Sequence, residues 1–199
     1  MKGMIAGLVC LGMVATSADA AVARSSTSTI ASFVASSGNG FDNNPFDYDV
    51  LLKAAVTADL VAPLADPQAR LTLWAPNDGA FVRLARDLGF AGTSEANAWD
   101  YLVGVLTNLG GGDPIPVLRQ VLLYHVAPTR INAVQFLILG ITGQTVATLQ
   151  GGTFRPAGLR IIDNEPDLAD PTLFVPLNVV TGNGIVHTIS RVLIPVNLP

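Results

Sequence analysis

Apolar and polar positions change rhythm along this chain, from a helical period in the first two thirds to a strand period in the last. Ile30 to Ala35 form a short helical run that ends before Gly38, and the loop GNGFDNNP follows. Val50, Leu51, Ala54, Ala55 and Ala58 then recur at helical spacing as far as Leu60, with Asp47 or Asp49 available as the cap. Leu71, Leu73 and Ala75 alternate with Thr72 and Trp74, predicting a strand that Pro76 stops by withholding its amide donor. A helix is expected at once, because Asn77 is a good N-cap, Asp78 puts negative charge in the first turn, and Phe81, Leu84, Ala85 and Leu88 recur until Gly89. Ser94 can cap another helix, with Trp99, Leu102, Val103 and Leu106 at helical spacing, which Gly110 to Gly112 break. Pro116 to Leu123 gives a third amphipathic helix running into Tyr124-His125-Val126.

Beyond this point short strands dominate. Leu159 to Ile162 and Leu173 to Val180 read as strands, and Asn183-Gly184 is a hairpin-type dipeptide. The β-branched run after it predicts a long final strand ended by Pro195. Ile185, His187, Ile189, Arg191 and Leu193 share one face of that strand, and Val186, Thr188, Ser190, Val192 and Ile194 the other. Both faces mix polar and apolar groups, so cover on each side is expected, with the strand closing a sheet built from earlier ones. Helices first and strands last argue an α+β class without the regular alternation of a doubly wound fold.

One run leaves its rotation open to function. If Asn132 caps a helix, Val134, Leu137 and Ile138 face the core while Phe136 and Leu139 project elsewhere, either under a neighbouring loop or as an apolar contact for a ligand or partner.

Composition sets the compartment and trims the list of partners. Lys2, the apolar stretch Ile5 to Ala15 and Ala18-Asp19-Ala20 have the layout of a signal peptide over residues 1–20, too short for a transmembrane anchor. Leu8-Val9 before Cys10 lacks the small residue of a lipoprotein cleavage site. Residues 21–28 read as a flexible lead-in and 29–196 as one domain. Removal of the leader leaves no cysteine, so no disulfide contributes. It leaves 10 basic and 14 acidic side chains, and a scattered, weakly acidic surface does not suit nucleic acid.

Catalytic signals are sparse. His125 and His187 are the only histidines, and no GxSxG elbow, HExxH or phosphate-cradling glycine loop accompanies them. A histidine in an apolar run is more often a satisfied structural group, and two of them lack the third ligand of a zinc site. The acidic segment Asp163 to Asp170 fails as a calcium loop, since Leu168 takes the position that needs glycine and no closing glutamate follows. Neither a metal nor a cofactor is expected.

LTLWAPNDGAF at Leu71 to Phe81, LLYHVAP at Leu122 to Pro128 and GNGIVHTISRVLIP at Gly182 to Pro195 together resemble the two signature blocks and central Tyr-His motif of the fasciclin (FAS1) domain family. Departures are small: the family more often has Phe at Trp74, Thr at Asn77, Ala at Gly79 and Asp at Ser190. The resemblance implies a β-sandwich or wedge with helices packed on one side, continued by a short helix over Val134 to Leu139 and a strand over Thr145 to Leu149. It also implies a non-enzymatic, secreted or periplasmic domain that adheres to an extracellular protein or matrix component, with Tyr124 and His125 linked to both folding and adhesion. Glu165-Pro166-Asp167-Leu168 resembles an integrin motif of some animal members, but Ala169 to Thr181 separate it from the terminal block, so integrin binding is not carried over. Some algal members bind carotenoids, a precedent for the alternative of a carrier of an apolar small molecule.

Overall fold

The computed structural model describes residues 28–36, 38 and 40–196. The expected signal peptide and all but residue 28 of the lead-in lie outside the described residues. In chain order the elements are α1 (Ile30–Ser36), α2 (Asp49–Thr57), α3 (Val61–Ala65), β1 (Leu71–Pro76), α4 (Asp78–Asp87), α5 (Glu95–Leu109), α6 (Pro114–Tyr124), β2 (Val126–Ala127), α7 (Ala133–Ile141), β3 (Val146–Ala147), β4 (Thr153–Ala157), β5 (Arg160–Ile162), β6 (Leu173–Val180) and β7 (Gly184–Ile189).

Strand β1 is the spine, buried along its whole length. It pairs in parallel with β7 and antiparallel with β2, and β6 joins the far side of β7, giving the order β2-β1-β7-β6. Alternation then divides the core. Leu71, Leu73 and Ala75, with Val186 opposite Leu73, face the cluster formed with α1, α2, α4, α5 and α6. Trp74 and Ile189 face a second cluster closed by Phe136 of α7 and by Val146, Phe154 and Ile161 of the small sheet β3-β4-β5. The expected α+β wedge is therefore present, with α7 on the small-sheet side. Gly184 shows how tightly the first layer closes: a Cβ there would stand 2.5 Å from both the Leu71 carbonyl oxygen and Ile30 Cδ1.

Local differences from the sequence reading have physical causes. Strand β7 ends at Ile189, yet alternation persists beyond it, with Val192 and Ile194 in the first cluster and Leu193 in the second. Asn77 caps α4 as expected, accepting from the Ala80 amide. Neither Asp47 nor Asp49 caps α2. The Asp78 carboxylate reaches across from α4 and accepts from the amides of Asp49 and Val50. Strand β4 carries Pro156, a residue that argues against a strand, but its neighbours Phe154 and Arg155 keep the ladder to β3 and β5.

Candidate functional site

The motif residues are pins between elements. His125, fully buried at the end of α6, holds the Val121 carbonyl through Nδ1 at 2.8 Å and accepts the Leu193 amide at Nε2 at 2.9 Å. A carbonyl on one nitrogen and an N–H on the other select the neutral Nδ1–H form. Burial pushes its pKa down to about 4, only partly offset by the Val121 bond. His187 does the same for β7, with Nε2 on the Ile131 carbonyl at 2.8 Å and the Asn178 amide donating to Nδ1 at 3.3 Å. Its ring stacks on Trp74 at 6.2 Å, and burial lowers its pKa too. The Tyr124 hydroxyl donates to the Thr153 carbonyl at 2.7 Å, and burial followed by the nearby Asp163 charge raises its pKa. Each of these polar tips ends on backbone inside the protein, which suits locking one element to another.

Helix α7 turns opposite to the expectation. Asn132 does cap it, in a reciprocal capping box with Gln135. Phe136 is fully buried against Trp74, and Leu139 is half-buried beside the same cluster, while Val134 and Ile138 are exposed. Of the two readings left open, Phe136 follows the covered one, with its ring packed against Trp74 at 6.2 Å. The outward apolar stripe is Val134, Ile138 and Ile141.

An apolar groove was not anticipated. Helices α4, α5 and α6 and the segment after β7 line a space of about 430 Å³, with Leu84, Leu88, Trp99, Leu106, Val121 and Ile194 among its walls. Gln120 and Gln150 are its polar lining side chains, and no charged side chain lines it among the described residues. The size falls within the range of small-molecule sites, about 300–1,000 Å³. Its signal was present in α5, where Val105 and Leu109 add apolar positions beyond the stripe that faces the core.

A second feature came from residues far apart in sequence. Asp47, Asp49 and Asp78 each bring a carboxylate oxygen within 4.8 Å of the others, and Asp42, Asp47 and Glu95 do likewise. Burial, the adjoining Asp47 and the Glu95 charge push Asp78 up to about 8, against the amide of Val50. Burial is also the main cause raising Asp49 and Glu95, which the amides of Gly40 and Asn43 respectively oppose. The acidic segment at Asp163 behaves as a loop anchor, with its carboxylate accepting the amides of Ile194 and Glu165.

With this geometry in view, comparison with known proteins is informative. The sequence pattern of the Fasciclin domain matches residues 46–195. No curated protein sequence matches the chain. Among solved structures, it is similar to a FAS1 domain pair from the insect cell adhesion molecule fasciclin I, at 16% identity and a TM-score of 0.57. That likeness covers 84% of this chain and 51% of the other, so the chain spans about half the length of that relative. At such identity the likeness speaks for the fold alone. Among the described residues, no helix is long and apolar enough to cross a membrane.

Proposed function

The chain belongs to the fasciclin domain family, and from that premise we propose that it is a non-enzymatic extracellular or periplasmic binding domain that carries an apolar small molecule, lipid-like or polyene-like. The groove between α4, α5 and α6 is the observation that carries this reading, because among the described residues its lining is apolar apart from Gln120 and Gln150. The leader-like segment at residues 1–20 supports export. Neutral, doubly bonded histidines support a binding role over a catalytic one.

Extraction of protein purified from its native source, followed by absorption and mass spectra, tests the reading. A recurring stoichiometric apolar ligand is expected, together with saturable uptake of a fluorescent fatty acid that Leu106→Glu abolishes while circular dichroism stays unchanged. Repeated extracts without ligand and no saturable uptake would overturn it. Adhesion to an extracellular protein is the second reading, favoured by the exposed stripe Val134, Ile138 and Ile141. In that case Ile138→Asp and Ile141→Asp abolish cell or matrix attachment and leave fatty-acid uptake intact.

A further inference from the structure

Three buried carboxylates meet where the loop before α2, the first turn of α2 and the start of α4 converge, and among the described residues none of them forms an ion pair. Asp78 is fully buried and held by two backbone amides, while Asp47 Oδ2 accepts from Asn44 Nδ2 at 3.0 Å. Asp47 Oδ1 and both oxygens of Asp49 lack a well-formed hydrogen bond, although these residues are only 7% and 4% exposed. Bare buried carboxylate oxygens are strongly unfavourable unless something positive meets them. The ion pairs among the described residues, Arg160 with Asp170 and Arg191 with Asp87, lie elsewhere.

The spacing fits an ion. Oxygens on opposite sides of calcium stand about 4.6–5.2 Å apart, twice its usual bond length, and the three carboxylates of the corner each place an oxygen within 4.8 Å of the others. The donors are all oxygen, without sulfur or imidazole, which selects a hard cation over zinc or copper. Asp47 also belongs to the neighbouring set with Asp42 and Glu95, so additional carboxylate oxygens are within reach. We propose that this corner binds a divalent cation of the calcium class, with Asp47, Asp49 and Asp78 as ligands and Asp47 central. The rival occupant is a proton on Asp78.

Calorimetric titration of chelator-stripped full-length protein with calcium at neutral pH decides between them. Saturable binding is expected, with Kd on the order of 10⁻⁴–10⁻³ M, and a rise in Tm of about 3–6 °C once calcium exceeds Kd tenfold. Terbium luminescence excited through neighbouring Tyr48 should appear and be displaced by calcium. Asp47→Asn and Asp49→Asn should each weaken binding by about tenfold or more and remain folded, because each removes an unpaired buried charge. Asp167→Asn, in a remote loop, should bind as the parent does. Absence of heat together with an identical Tm in calcium and chelator overturns the proposal in favour of the proton. A calcium response that survives both corner variants, or that vanishes in Asp167→Asn, overturns it as well.

Discussion

The two buried polar regions of this domain meet the same desolvation with opposite resources. Around Trp74, His125 and His187 can be neutral at no chemical cost, and each ring nitrogen then finds one backbone group of the right polarity. In the acidic corner, Asp49 and Asp78 are charged in water and become neutral only by taking a proton or gaining a cation. Burial depth is therefore a poor guide to what a polar cluster does; the informative quantity is whether its lowest-energy charge state is already complete within the protein. The histidines are complete and stabilise. The carboxylates are completed only by a proton or a cation.

The most severe way to break this comparison is to remove a pin. His125→Ala leaves the Val121 carbonyl and the Leu193 amide buried without a partner and opens a void, and a loss of about 3–5 kcal/mol in urea denaturation is expected. His187→Ala should cost less, since its bond to Asn178 is long at 3.3 Å. A loss under about 1 kcal/mol for His125→Ala would show that the pin is ornamental.

Acid titration probes the same contrast without a mutation. The folded pKa of His125, about 4, lies below the usual 6.5, so above pH 6.5 neither state takes the proton and the stability is complete. As pH falls from 6.5 to 4, the unfolded chain binds a proton that the folded one refuses, and about 3 kcal/mol is lost. Asp78 works in the other direction. Its folded pKa, raised from 3.8 to about 8, means the folded state holds a proton that the unfolded one has released, so its contribution declines as pH rises across that interval. Between pH 6.5, above which His125 titrates in neither state, and pH 8, chelator-treated protein should lose about 1–2 kcal/mol. Asp78→Asn should flatten that limb in urea midpoints measured across pH. A limb that persists in the variant would place the titrating group elsewhere.

How much of this was legible before folding follows from the same chemistry. The turn from β1 into α4 was readable because Pro76, Asn77 and the spacing of Phe81, Leu84 and Leu88 all act within a few residues. The rotation of α7 was not, since Val134, Phe136, Leu137, Ile138, Leu139 and Ile141 surround the helix with apolar groups and leave the choice to the space beside Trp74. Strand β4 was hidden by Pro156, whose missing donor is tolerated only because of where it sits in the ladder. The histidines could be weighed from their apolar surroundings alone. The acidic corner could not, because Asp47, Asp49, Asp78 and Glu95 come from three separated stretches, whereas the one acidic run visible in sequence, around Asp163, folds into a loop anchor.

The smallest expected effect sharpens the comparison most, because it isolates burial from charge pairing. Asp87 is a carboxylate that does meet a cation: Arg191 Nη1 contacts its Oδ2, with the two side chains 29% and 33% exposed. If charge compensation by itself governed the energetics, breaking this pair should cost as much as disturbing the acidic corner. Partial exposure argues otherwise, since water takes over most of what the guanidinium supplies. Arg191→Gln should therefore lower stability by no more than about 1 kcal/mol, with the deficit shrinking further in high salt. A loss comparable to that of His125→Ala would mean that the pair also fixes the segment from Ser190 to Ile194 on which His125 depends, and the line between the two regions would have to be redrawn along that segment.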